Sequence, residues 1–305
     1  MATLPPISGA DARSYRCKWC GHTSDATSTS CPRCGAPVDV SLATDDSGWS
    51  ELPAIRDMAK IQFGQSFCQI EGKYVPVADF KLGGGDGVYF AHHLLLWKDE
   101  QVVISKMPLA GGWKRLIAGL PLIMTQASGP GRIAFSKDAP GELIALPLED
   151  GQTVEVREHV FLIATNSVSY DWFQPGIWFI TQNGKDTETH YPIGMFMDRF
   201  TAKAGPGLLL LHGNGNVFVR TLQPGQQIVI KPTALLYKDP SVLMNLHLEY
   251  PGGTQQTFWR SWGNRYVWLR LTGPGRVAVQ SHFEPMEDPG NPIRSTPPGA
   301  TSRQW

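Results

Sequence analysis

The chain has 305 residues, with 27 Lys and Arg balanced by 27 Asp and Glu, and is 42% hydrophobic and 10% aromatic. That is enough apolar residue to bury one large core or two ordinary ones, and the balanced charge excludes a net field drawing the whole molecule to nucleic acid or an anionic membrane. The longest apolar run, LIAGLPLIM from Leu116 to Met124, is broken by a proline and far short of the roughly 20 residues of a spanning helix, so a soluble protein is expected.

The N-terminal stretch MATLPPISGADARSYR has no apolar core of the kind a secretion signal carries, and it is too short and proline-containing for an amphipathic transit peptide. A cytoplasmic location is expected in preference to a mitochondrial one. Four of the five cysteines follow, in YRCKWCGHTSDATSTSCPRCG. Cys17 and Cys20 form one C-x2-C pair, and Cys31 and Cys34 form a second. Two such knuckles surround one Zn2+ with four thiolates, and the glycine after each pair lets the backbone turn back under the metal. Residues 15–38 are therefore read as a zinc ribbon. A redox role for the pairs is the rival, but neither sits between a strand and a helix as a thioredoxin-like site requires. With four cysteine ligands the ion is coordinatively full and structural, its binding supplying the free energy that folds a module too small for its own core.

Arg13, Arg16, Lys18 and Arg33 stand against Asp25 and Asp39 in this module, a surplus that the formal charge of a four-thiolate zinc centre cancels. Phosphate binding needs several uncompensated cations, so a protein partner is expected before nucleic acid. Residues 39–60, with SLATDDSGWS in them, have no sustained period and read as a linker.

Residues 61–284 carry an internal repeat. Lys81–Val102 aligns without a gap to Pro147–Val168 and to Thr221–Val242. Leu82, Leu148 and Leu222 coincide, as do Gly85, Gly151 and Gly225, then Leu96, Leu162 and Leu236, and finally Val102, Val168 and Val242. A second recurring element is a G-x-G turn before alternating apolar residues. It is read in SGPGRIAFS (Gly129, Gly131), HGNGNVFVR (Gly213, Gly215) and TGPGRVAVQ (Gly273, Gly275). The alternation has the period of a half-buried strand.

The repeat decides how GGGDG, at Gly83–Gly87, is read. A phosphate loop needs a helix after its glycines, whereas here Val88 and Phe90, like Val154 and Val156 or Ile228 and Ile230, alternate as in a strand. The glycines are turn residues using positive φ. GGWKRLIAGL, from Gly111, is the one stretch that reads as either a helical turn or a strand. The expectation is an all-β body of three related units, in pseudo-threefold closure without free edges.

Candidate ligands in the body are few. His92 and His93, with Asp99 and Glu100 nearby, suggest a metal, but the other copies have Glu158/His159 and Pro232/Thr233 in those columns, and neighbours on a strand point to opposite faces. His247 and Glu249 share a strand face by parity but are only two ligands. Cys68 reads as a buried apolar residue. Trp97-Lys98-Asp99 and Tyr237-Lys238-Asp239 occupy the same columns and read as solvated turns. No G-x-S-x-G, H-E-x-x-H or P-loop is present. Residues 285–305, proline-rich and poor in aliphatic side chains, read as a disordered tail.

The SGPGRIAFS and TGPGRVAVQ turns, with L-x-x-G-x-x-V strands feeding FLIATNSV and LLYKDPSV, resemble the altered-inheritance-of-mitochondria (mitochondrial biogenesis) family over about Phe63 to Phe283. The resemblance implies a double-stranded β-helix or β-sandwich of modules similar to the tryptophan-responsive RNA-binding attenuation protein. It supplies no catalytic residues. Fungal members are associated with mitochondrial inner-membrane organisation, whereas the zinc ribbon and proline-rich tail of this chain suit a bacterial cytosolic protein. The expected function is a non-enzymatic interaction or scaffold protein with the ribbon as a structural or docking module. The alternatives are a small-ligand or metal-dependent enzyme of the double-stranded β-helix kind, through His92, His93 or His247 with Glu249, and nucleic-acid binding through the ribbon.

Overall fold

The computed structural model describes residues 14–16, 22–25, 30–35, 49–51, 59–72, 74–108, 123–183, 185–249, 266–283 and 291–295. The chain divides into two units, Met1–Pro53 and Ala54–Trp305. In the first, β1 (Ser14–Arg16) and β2 (Thr23–Asp25) pair antiparallel with Tyr15 opposite Ser24, and β3 (Ser50–Glu51) is a two-residue strand.

The second unit begins with a hairpin, β4 (Ala59–Phe63) and β5 (Ser66–Glu71), and then repeats one six-strand module three times. The first module is β6 (Val77–Leu82), β7 (Gly87–Phe90), β8 (Leu95–Lys98), β9 (Val103–Pro108), β10 (Ile123–Ser128) and β11 (Gly131–Ser136). The second runs β12 (Glu142–Leu148), β13 (Thr153–Arg157), β14 (Phe161–Thr165) and β15 (Val168–Phe173). An inserted hairpin, β16 (Phe179–Asn183) and β17 (Asp186–His190), precedes its last strands, β18 (Met197–Ala202) and β19 (Gly207–Gly213). The third is β20 (Val217–Leu222), β21 (Gln227–Ile230), β22 (Leu235–Lys238), β23 (Leu243–Glu249), β24 (Tyr266–Thr272) and β25 (Gly275–Gln280), and β26 (Asn291–Ser295) follows.

The apolar alternation makes these strands half-buried. In β24, Val267, Leu269 and Leu271 point inward and Tyr266, Trp268, Arg270 and Thr272 outward. FLIAT of β14 is apolar on both faces and buried on both. Phe135 lies 4.5 Å from Phe90 and 5.7 Å from Phe80, ring centre to ring centre, in a core that also holds Cys68, Leu162 and Leu210. Each such side chain stabilises the fold by about 1.5–3 kcal/mol.

Modules join by sharing sheets. The first and second contribute β7, β10, β9 and β14, β19, β12 to one sheet in the order β12-β19-β14-β7-β10-β9. The second and third combine likewise in the order β15-β18-β13-β22-β25-β20. The strands that would make the matching third sheet are split between β4-β5-β6-β11-β8 and β21-β24-β23. The expected closure without free edges is thus corrected: among the described residues, nothing pairs with the outer edge of β8 or of β21. Repetition of sequence fixes the module, but the third join is non-local and would have to bring together the first and last modules.

Strand register revises one repeat column. Leu82 faces Gly131, Leu148 faces Gly207 and Leu222 faces Gly275. The middle counterpart of the G-P-G turns is therefore Gly205-Pro206-Gly207, and HGNGNVFVR, with Gly213 and Gly215, is the link from β19 to β20. Any tight turn before a strand shows G-x-G and alternation, so the local pattern does not separate turns within modules from turns between them. A Cβ on Gly131, Gly207 or Gly275 would meet Cγ2 of Val102, Val168 or Val242 at 2.7, 2.3 and 2.8 Å. The shared valines are what these glycines make room for. Gly85, Gly151 and Gly225 are a different kind, with open space around them and φ of 91°, 80° and 76°.

GGGDG leads into strand β7, as expected. His92 and His93 lie in a 3-10 turn, His92–Leu94, and not on a strand; the third module has the same turn at Pro232–Ala234. Asn291–Ser295, within the stretch expected to stay disordered, forms β26 against β16. Backbone pairing to a hairpin edge needs no aliphatic side chains, which is why composition did not signal it. Gly111–Leu120 lies outside the described residues. No helix among the described residues is long and apolar enough to cross a membrane.

Candidate functional site

The same strand columns meet at each join, so the three joins can be compared residue by residue. At the second, Glu155 of β13 stands between Arg199 of β18 and Lys238 of β22. Lys238 Nζ donates to Glu155 Oε2 at 2.5 Å and Arg199 Nη2 to Oε1 at 2.6 Å. Arg199 also lies over the Phe173 ring at 4.4 Å. Glu155 and Lys238 are buried. Burial pulls the Lys238 ammonium below its usual range, and the adjacent Glu155 carboxylate pulls the other way. One carboxylate thus bridges two cations across three strands.

At the first join the equivalent positions are Tyr89, Gln126 and Ala164, paired in the same register. This join is apolar, with Phe161 5.7 Å from Tyr89. The Tyr89 hydroxyl is buried without a hydrogen-bond partner among the described residues, and burial drives its phenol well above the ordinary range.

At the third join the same columns face solvent. Leu162 and Leu236 are 1% and 0% exposed, but Leu96 is 52% exposed. Ile163 and Tyr237 are 0% and 2% exposed, but Trp97 is 48% exposed. Val229, the counterpart of buried Tyr89 and Glu155, is 45% exposed. Lys98 contacts the carbonyls of Asp99 and Glu100, as Lys238 contacts that of Asp239, but no carboxylate partners it among the described residues. Arg270, opposite Val229, holds the Arg199 position and donates to His247 Nδ1 at 2.6 Å. Beside it Lys231 lies 4.8 Å from the Trp268 ring and 5.2 Å from that of Tyr266. The outward face of β21-β24-β23 therefore carries cations and aromatic rings around an apolar, unpaired edge.

The residues expected to bind metal distribute as follows. Cys17 and Cys20 lie outside the described residues, although the flanking strands β1 and β2 pair. Cys31 is buried and Cys34 exposed, in a turn where the Gly35 amide donates to the Cys31 carbonyl at 2.8 Å with Gly35 at φ 70°. His93 is exposed. His247 and Glu249 do share a face, but each is engaged across to β24, Glu249 accepting from Trp268 Nε1 at 2.7 Å. No cluster of three or more metal-ligating side chains occurs among the described residues. Cys68 is buried in the core, its thiol pushed well above its usual range by burial and then by Asp79.

The K-D columns are more than solvated turns. Asp99 Oδ2 accepts the Arg132 amide at 2.8 Å, and Asp239 Oδ2 accepts that of Arg276 at 2.8 Å. In the middle module Thr165 Oγ1 takes the Leu208 amide at 3.0 Å. Each acceptor ties a module's third strand to the start of its last. Glu155 and Val229 carry no motif, and their one signal in the chain is the repeat column that puts a tyrosine, a glutamate and a valine in the same place; Arg199 and Arg270 are brought opposite them only by strand register.

The sequence profile of the mitochondrial biogenesis AIM24 family matches residues 68–282. No curated protein matches the chain significantly. A Streptococcus pyogenes protein solved by X-ray crystallography in a structural genomics programme is similar with a TM-score of 0.51 and 19% identity, over 72% of this chain and 94% of that one. At that identity the likeness concerns the fold alone.

Proposed function

The chain belongs to the mitochondrial biogenesis AIM24 family, and on that premise we propose that it is a non-enzymatic interaction protein whose β body docks partners at its unpaired join. The observation that carries this reading is that Leu96, Trp97 and Val229 are exposed in columns that are core at both other joins. Folded proteins normally blunt apolar strand edges with charge, proline or cover. Retaining two such edges beside each other in the repeat plan suits a surface completed by another chain.

The N-terminal module is in this reading a zinc ribbon held by Cys17, Cys20, Cys31 and Cys34, acting as a structural or docking element. The tight Cys31–Gly35 turn and the strand pair flanking the first two cysteines support it. Four thiolates would leave the ion no open position, so it would contribute folding free energy and no catalysis.

Affinity capture with the full chain tests the docking role against Leu96→Lys and Val229→Lys variants. Partners held by the wild type and released by both variants are expected; unchanged partner sets would overturn the reading. Elemental analysis should find about one zinc per chain, lost on Cys17→Ser with Cys31→Ser. Capture that is unaffected by removing residues 1–40 would take the docking role from the ribbon.

A further inference from the structure

The docking reading leaves open which strand fits the free edge of β21, and the charge pattern of the second join answers it. There the edge strand β13 presents Glu155, and the incoming strand β22 supplies Lys238 opposite it, with Arg199 on the far side. At β21 the arginine is kept as Arg270, but the carboxylate between the strands is replaced by Val229. The chain's own candidate, β8, would place Lys98 opposite Val229 in the same register. Two cations would then face each other across a valine with no carboxylate between them, an arrangement that opposes closure. Reversing the charge of the incoming residue removes that conflict and restores an acid-base pair over a small side chain.

We propose that the free edge of β21 accepts an extended protein segment as an added antiparallel strand, with an acidic residue opposite Val229 whose carboxylate reaches Arg270 and an apolar residue opposite Ile230. The inward position follows from Tyr237, which lies opposite Val156 at the second join and is buried there. Backbone hydrogen bonds would supply affinity, and alternate side chains would supply specificity. Lys231, over Trp268 and Tyr266, extends the positive face beyond Arg270.

Two fluorescent peptides test this on the full-length protein: the segment of residues 232–240, and the same segment carrying K238E. Anisotropy titrations at low salt should show the K238E peptide binding at least about tenfold tighter than the unaltered one. Arg270→Gln should abolish that preference while keeping the fold, because glutamine already occupies the equivalent position in the first module, at Gln126. Val229→Glu should invert it, recreating the Glu155 arrangement so that the unaltered lysine peptide binds better. Equal affinity of both peptides for the wild type would overturn the charge assignment and leave the docking edge standing. Binding of neither peptide, with slow hydrogen exchange at the β21 amides of the free protein, would overturn the docking edge as well. A wild-type dimer dissociated by Leu96→Lys would replace the acidic partner with a second copy and overturn the proposal.

Discussion

The second and third joins of the β body are built from the same columns and end in opposite states. At the second, LLYK of β22 is buried throughout, and its lysine meets a glutamate that also holds an arginine. At the third, LLWK of β8 has three exposed residues, and the corresponding lysine and arginine have a valine where the glutamate would be. Both strands are equally apolar apart from that lysine. What separates these two joins is the residue between the cations, since a lysine and an arginine brought together without a carboxylate oppose the pairing that the surrounding leucines favour.

The comparison is most easily broken at the buried side. Tyr237→Ala should destabilise the body by about 3–5 kcal/mol in urea unfolding, whereas Trp97→Ala in the same column should stay within about 0.5 kcal/mol. Equal losses would mean that the third join is closed in solution. Glu155→Ala leaves Lys238 buried without its counter-ion and should cost about 3–5 kcal/mol by the same assay. A near-neutral result would take from the triad its part in holding the second join.

Smaller effects sharpen the module itself. Gly207→Ala drives a Cβ onto Val168 and should cost about 1–3 kcal/mol of unfolding free energy. Gly225→Ala meets no neighbour, and its cost of about 1–2 kcal/mol would come from φ alone. Asparagine at 225 should recover part of that loss but should not help at 207.

The least effect concerns the link between second and third modules. His212 is buried, and burial lowers its pKa below the usual 6.5. The unfolded chain therefore binds this proton more readily than the folded one, so stability should fall as pH drops below about 6.5. Comparing thermal unfolding between pH 7.5 and 5.5 for wild type and His212→Gln checks this. The variant should lose that part of the pH dependence.

Much of the body was legible in the chain. Leu82, Leu148 and Leu222 with Gly85, Gly151 and Gly225 announced three copies, because a positive-φ turn after a buried residue recurs wherever the module does. The G-P-G column is ambiguous in its middle copy, since HGNG imitates it and only the facing of Leu148 on Gly207 tells them apart. The 3-10 turn at His92–Leu94 is too short to leave a period and reads locally as strand. Asp99 and Asp239 look solvent-facing in the chain, yet each accepts an amide from a strand more than thirty residues away. Such contacts leave no periodic mark.

By itself the sequence determined the repeated unit, its turns and its inward residues, because φ preference and alternation are local properties of a few neighbouring residues. Only the tertiary structure decided which strand edges are paired. That choice depends on what lies across the gap, here a glutamate at one join and a valine at another, between segments far apart along the chain. An apolar strand such as LLWK looks the same whether it is buried or at an edge, because no local pattern records what lies across the gap.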